Sequence, residues 1–227
     1  LPSRTGGNNM ANPLAFQFRE TETKTYGILG NIFAEYEFIK GLSLRSDLNI
    51  DLSSMSFQRL RTPVDQSQGA ITRNDTEILL RNFTNTQLNS ETILRYNRII
   101  NDHAFNLMVG YTSIHTISKG VIASADNLEP GTRVPQTGLN QLGSADYTEE
   151  RLLSQLARVN YNYQSRYLFT ASIRRDGSSN FGKNHRWGVF PSFSAGWQLG
   201  DEAFMAPLDW LSTLKIRAGY GELGRTL

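Results

Sequence analysis

The sequence predicts an all-β protein, an antiparallel transmembrane β-barrel to which this chain contributes about eight strands. The first observation lies in residues 187–199, where Trp187, Val189, Pro191, Phe193, Ala195, Trp197 and Leu199 alternate with a set that includes Gly188, Ser192, Ser194, Gly196 and Gln198. That is a period of two with an indole near each end. At ~3.3 Å per residue and a strand tilt of ~40° the indoles lie roughly 25 Å apart along a membrane normal, the height of the apolar band of an outer-membrane barrel. The second observation is recurrence, since the pattern returns about eight times along the 227 residues. The third is that tight and long connections alternate between these segments.

The first strand, residues 26–39, sets Ile28, Ile32, Ala34, Tyr36 and Phe38 against Asn31, Glu35 and Glu37. The second, 42–53, is the most regular, with Leu42, Leu44, Leu48, Ile50 and Leu52 against Ser43, Arg45, Asp47, Asn49 and Asp51. Burying those polar groups in a dry core would cost several kcal/mol each, so that face must meet water. The third, 91–100, opposes Thr92, Leu94 and Tyr96 to Arg95 and Asn97, and the fourth, 103–115, opposes Phe105, Leu107, Val109 and Tyr111 to Asn106, Gly110 and Thr112. In the fifth, 155–163, Ala157, Val159, Tyr161 and Tyr163 face away from Arg158, Asn160 and Asn162. The sixth, 167–175, separates Tyr167, Phe169, Ala171 and Ile173 from Thr170, Ser172 and Arg174. The seventh is 187–199, and the eighth, 214–220, opposes Leu214, Ile216, Ala218 and Tyr220 to Lys215, Arg217 and Gly219.

Gly41, Asn101-Asp102 and Gln164-Ser165-Arg166 form tight turns, whereas 54–90, 117–150 and 176–185 are long and rich in Gly, Ser, Thr, Asn and Asp. Barrels of the outer membrane carry short periplasmic turns and long external loops, which assigns the two sets to the two sides. By the same parity 200–213 is periplasmic, and its apolar members Phe204, Met205, Leu208, Trp210 and Leu211 predict a short amphipathic helix.

No stretch approaches the ~18 apolar residues of a spanning helix, and the mean hydropathy of -0.40 is what half-polar barrel strands produce. Cysteine is absent, which removes disulfides and thiolate metal sites. A formal charge of +2, from 23 basic and 21 acidic residues, offers nothing to nucleic acid. The polar faces lack the bulk to fill the lumen of a closed eight-stranded barrel. A flat sheet in hydrocarbon would leave two bare edges, so the expectation is a section of a larger barrel. The opening Leu1-Pro2-Ser3 has neither signal peptide nor initiator methionine, and the chain is expected to be an interior piece of a longer protein.

Three long words in order, SIRRDGSSNFG at 172–182, RWGVFPSFSAGW at 186–197 and LKIRAGYGELG at 214–224, resemble the SusC/RagA family of TonB-linked outer-membrane transporters of Gram-negative bacteria. The earlier words GNIFAEYEFIKGLSLRSDLNID at 30–51 and ETILRYNRIINDHAFNLMVGYT at 91–112 agree with it. The resemblance implies a barrel of about 22 strands closed by an N-terminal plug, energised through TonB. It also implies a SusD-like surface lipoprotein that captures glycan or peptide nutrients. On this reading residues 1–227 are a partial TonB-dependent receptor barrel domain, with plug, TonB-contacting segment and terminal strands absent. A passive porin or an adhesin scaffold is the alternative.

The pattern offers little to catalysis, and no enzyme activity, metal or cofactor is expected. His103, His115 and His185 fall in a turn, at a strand end and in a loop, with no nucleophile or carboxylate at a catalytic spacing. Asp176-Gly177-Ser178-Ser179-Asn180 is rich in oxygen donors but lacks the spaced ligand series of a calcium loop, and a β-turn explains it. Trp187, Trp197, Tyr161 and Tyr163 read as an interface girdle rather than as sugar platforms. The candidate solute contacts are therefore lumen residues: Arg45, Asp47, Asn49, Asp51, Arg158, Asn160 and Arg174. The expected partners are outer-membrane lipid, the SusD-like lipoprotein, TonB, and a glycan or peptide.

Overall fold

A computed structural model describes residues 19–62, 76–129, 131–182, 186–205, 210–211 and 213–224. It contains eight strands: β1 (Arg19–Ile39), β2 (Leu42–Arg61), β3 (Glu77–Ile100), β4 (His103–Asp126), β5 (Leu139–Tyr163), β6 (Tyr167–Ser178), β7 (Trp187–Gln198) and β8 (Lys215–Gly221). They form one sheet in sequence order, in which β1 and β8 are the outer strands and do not pair with each other.

Register makes the sheet two-sided. Between β5 and β6, Tyr163 stands opposite Tyr167, Tyr161 opposite Phe169 and Val159 opposite Ala171. Across β6 and β7, Tyr167 meets Trp197 and Ala171 meets Phe193; across β7 and β8, Phe193 meets Tyr220 and Trp197 meets Ile216. One-residue steps along the same rows align Arg158 with Ser172 and Ser192, and Asn160 with Thr170, Ser194 and Gly219. A slip of one residue would exchange the two faces, so a two-sided environment fixes the register.

The turns follow from their residues. Gly41 has φ +88°, and a Cβ there would sit 2.1 Å from the Asn97 carbonyl oxygen. Only glycine permits that approach, which lets the Asn97 amide donate to the Gly41 carbonyl at 2.7 Å. Asn101, Gln164 and Ser165 also take positive φ, near 50° to 60°. Asn tolerates this conformation best; Gln164 is held by its own amide, which donates to the Asp102 carboxylate at 2.8 Å.

Several strands run further than the apolar alternation predicts. β1 begins in Arg-Glu-Thr-Glu-Thr-Lys-Thr, where β-forming threonines alternate with charged residues and no apolar signal exists. β2, β3, β4 and β5 likewise continue into 54–61, 77–90, 116–126 and 139–154, which shortens the long connections accordingly. His103 opens β4 rather than lying in a turn, and His115 is inside that strand rather than at its end. Asp176, Gly177 and Ser178 belong to β6, so the turn starts at Ser179. The helix expected in 200–213 is replaced, among the described residues, by two one-turn 3-10 segments, Leu199–Asp201 and Ala203–Met205. Leu208 lies outside the described residues, as does His185.

The chain divides into two compact units. One takes Leu1–Ile28, Leu52–Asn85 and Ser118–Thr148, and the other Leu29–Asp51, Thr86–Ile117 and Glu149–Leu227. The first holds a conventional small core of Leu60, Ile78, Ala125 and Leu128, with Ile78 fully buried. Beside it Glu77 accepts from Arg59 and Arg61, each at 3.0 Å. The second has no fully buried apolar side chain among the described residues. Its Ile32, Tyr36, Leu48, Val109, Ile173, Val189 and Phe193 are instead exposed along one face. Water would not tolerate so large an apolar surface; hydrocarbon would, and the strands supply the backbone pairing that hydrocarbon demands.

Candidate functional site

The polar face of the second unit carries a continuous hydrogen-bonded chain. The Thr170 hydroxyl donates to Asn160 Oδ1 at 2.9 Å, and Asn160 Nδ2 donates to Asn106 Oδ1 at 2.9 Å. Asn106 in turn donates to Asn97. Four strands, β3 to β6, are crossed by three side-chain bonds that all run the same way, an arrangement in which each bond polarises the next. Ser172 and Ser192 share a further bond at 2.7 Å on the same face between β6 and β7.

On β1 and β2 the face is charged. The Arg45 guanidinium grips Asp47 through two bonds of 2.8 Å, lies 4.1 Å above the Phe33 ring and reaches Glu35 at 3.6 Å. Asn31 donates to Asn49 beside it. A cavity of about 320 Å³ opens here, lined by Asn31, Asn49, Asp51, Gln87 and Asn89 together with Leu29, Gly30 and Ile50. Asn89 Oδ1 is buried with no partner among the described residues. An unsatisfied amide oxygen costs ~1–3 kcal/mol.

The seven candidate lumen residues are not one cluster. Arg45, Asp47, Asn49 and Asp51 share one face of β2, and Asn160 anchors the amide chain. Arg174 is taken up by Asp176, at 2.7 Å, and Arg158 is exposed with no carboxylate partner among the described residues. Gln87 and Asn89 were legible only as loop residues, although Leu88 between them continues the alternation of the third strand.

The opposite face carries the aromatic residues. Near the tight turns His103 Nδ1 and the Tyr161 hydroxyl are 2.8 Å apart, and the His103 ring lies 4.7 Å from that of Tyr163. Tyr163 stacks on Tyr167 at 6.1 Å, and Tyr167 on Trp197 at 6.2 Å, which draws a belt across β4 to β7. Glu202 completes it from the β7–β8 connection, accepting from the Tyr167 hydroxyl at 2.7 Å and the Trp197 indole at 2.9 Å. Those two donors hold the Glu202 carboxyl below the usual carboxylate range, with Arg166 adding to the effect. At the other end of β7 the Trp187 ring covers Gly177, whose missing Cβ makes the space, and the Arg175 guanidinium stands 4.3 Å over it. Amphipathic rings at both strand ends and aliphatic side chains between them make the profile of a membrane wall.

The other candidates are absorbed by structure. His115 pairs with Glu149 at 2.9 Å, and Arg151 shares the same carboxylate oxygen at 2.6 Å. At the end of β6, Ser179 exchanges two hydrogen bonds of 2.9 Å with the Arg151 backbone, so the Asp-Gly-Ser-Ser-Asn segment is knitted to β5.

Comparison with known proteins agrees with this geometry. The family of TonB dependent receptor-like β-barrels matches residues 2–226. The chain belongs to the TonB-dependent receptor β-barrel family. It is 33% identical over 223 residues to TonB-dependent receptor P3 of Formosa agariphila, covering 96% of this chain and 22% of that protein. To TonB-dependent receptor SusC of Bacteroides thetaiotaomicron it is 27% identical over 221 residues, again 96% of this chain and 22% of the relative. Among solved structures it superposes on the RagAB peptide transporter with a TM-score of 0.83 at 23% identity, over 93% of this chain and 24% of that one. The RagAB importer in its 'open-open' state gives 0.84 over the same shares. The chain thus spans less than a quarter of the length of these relatives, and its sheet is a section of a larger TonB-dependent receptor barrel.

Proposed function

We propose that residues 1–227 form one partial barrel domain, part of the wall of a TonB-dependent nutrient importer in the outer membrane of a Gram-negative bacterium. The importer takes up glycans or peptides delivered by a SusD-like surface lipoprotein and is driven through TonB by parts of the protein beyond this wall; it is a transporter and not an enzyme. The observation that carries the reading is the two-sided sheet. An apolar face closed by aromatic belts backs a face of amides, hydroxyls and paired charges that stays wet. On the wet face Asn49, Asp51 and Arg158 have spare hydrogen-bonding capacity and contact the passing solute. Arg45, Asp47 and Arg174 are engaged in ion pairs and shape the wall. Asn160 holds the amide chain that keeps β3 to β6 in register.

The test is uptake of labelled oligosaccharide and oligopeptide mixtures by cells carrying the full-length protein, with and without a protonophore. Energy-dependent uptake that falls in the Asp51→Ala and Arg158→Ala variants is expected. Uptake that ignores the protonophore, or steady ion conductance of the purified protein in a planar bilayer, contradicts the importer and returns a passive pore.

A further inference from the structure

The apolar face holds a groove that a smooth hydrocarbon-facing wall does not require. Its volume is about 570 Å³, and its lining runs from Leu44 on β2 through Leu94, Val109 and Ala157 to Ile173 and Val189 on β7. Those strands make five lateral steps, so at ~4.8 Å per step the groove crosses about 24 Å of wall, more than two acyl chains side by side. One cation stands at its edge. Arg175 lines the groove and lies opposite both Gln155, another lining residue, and Val189.

Arg175 points to the apolar face, because its guanidinium rests over Trp187, a member of that face. Among the described residues no carboxylate pairs with it, unlike its neighbour Arg174, which is neutralised by Asp176 on the polar face. Trp187 is at the end of β7 remote from Trp197 and from the tight turn 164–166 that joins β5 to β6, and therefore at the outer girdle. An unneutralised guanidinium at headgroup height above a wide apolar groove complements one kind of ligand, an anionic phosphate carrying several acyl chains.

We propose that this groove and Arg175 form a site for one molecule of a phosphorylated, multiply acylated glycolipid of the outer leaflet. The phosphate sits on Arg175 and the chains lie across Leu94, Val109, Ile173 and Val189. The inference rests on that face meeting lipid and is independent of what the pore carries. The test is native mass spectrometry of the full-length protein in mild detergent, with bisphosphorylated lipid A as the probe and phosphatidylglycerol as the comparison. One lipid A adduct is expected on the parent protein, with its occupancy reduced about tenfold or more in Arg175→Gln, the scale of a lost charge-assisted contact. Val109→Trp fills the groove at a position already 58% exposed, so it should lower occupancy while heat-modifiable gel mobility reports an intact barrel. Equal adduct on the parent and Arg175→Gln proteins, or equal retention of phosphatidylglycerol, overturns the site.

Discussion

Phe193 and Ser194 are adjacent on β7, midway between the two indoles, and the same substitution at each separates the faces. Phe193 is 54% exposed on the apolar side, between Ala171 on β6 and Tyr220 on β8, with its ring 5.6 Å from that of Tyr220. Arginine there must be held in hydrocarbon near the midplane, which costs ~2–4 kcal/mol, and the ring contact is lost in addition. Ser194 faces the other way, flanked by Thr170 and Gly219, so an arginine finds both space and water. A surface change of that kind stays within ~0.5 kcal/mol. The two variants should therefore differ by roughly 30-fold to 1,000-fold in the equilibrium between inserted and uninserted protein. Urea titration of the full-length protein folded into lipid vesicles measures the difference, with heat-modifiable mobility counting the folded fraction. Equal midpoints for Phe193→Arg and Ser194→Arg would refute the lipid-facing assignment.

Three further outcomes follow from the same geometry. Gly41→Ala should destabilise by about 2–4 kcal/mol, since its Cβ would displace the Asn97 carbonyl, whereas Gly27→Ala, with nothing within 4 Å, should be neutral; urea midpoints compare them. Because the Glu202 carboxyl is depressed below its unfolded value of ~4.3, the anchoring of Tyr167 and Trp197 is fully present above that pH and is lost as pH falls through the lower folded value. Trp197 fluorescence, taken as the difference between the spectra of the full-length protein and its Trp197→Phe variant, should shift only in that acidic window, and Glu202→Gln should abolish the shift. An epitope inserted after Gly131, where the backbone has open space, should bind antibody on intact cells, and one at Ser165 should bind only after permeabilisation.

All eight strands and their two faces were legible because a sheet with one apolar and one wet side imposes a period of two on its strands. Two of the tight turns were legible for a local reason, glycine at 41 and asparagine at 101 with positive φ, while the third puts Gln164 and Ser165 in that conformation. Legibility failed where the apolar signal ends but pairing does not. The Thr and charge alternation of 19–25 and the Gln87-Leu88-Asn89 step are strand in water, where the backbone ladder alone pays for order. It failed again at 200–213, whose scattered apolar residues read as a helix although the described part holds the 3-10 turns Leu199–Asp201 and Ala203–Met205. Of the candidate site, the shared face of Arg45, Asp47, Asn49 and Asp51 on β2 was legible from the alternation. Arg45 with Asp47 and Arg174 with Asp176 pair at i, i+2 along a single strand, a spacing the sequence does contain, whereas Arg158 has Asn160 at that position and no carboxylate partner among the described residues. The role of Glu202 in the lower belt was invisible, because it reaches Tyr167 from 35 residues away.

The central claim is that these eight strands are a section of a larger membrane barrel, with β1 and β8 each needing a neighbour the sheet itself does not provide. Refolding the 227-residue chain alone in detergent tests it most directly. The account predicts aggregates or heterogeneous oligomers, no heat-modifiable monomer band and no cooperative unfolding, since two bare edges cannot be satisfied in an apolar medium. A heat-resistant, β-rich monomer that unfolds cooperatively would mean that β1 and β8 close on each other, and would contradict it.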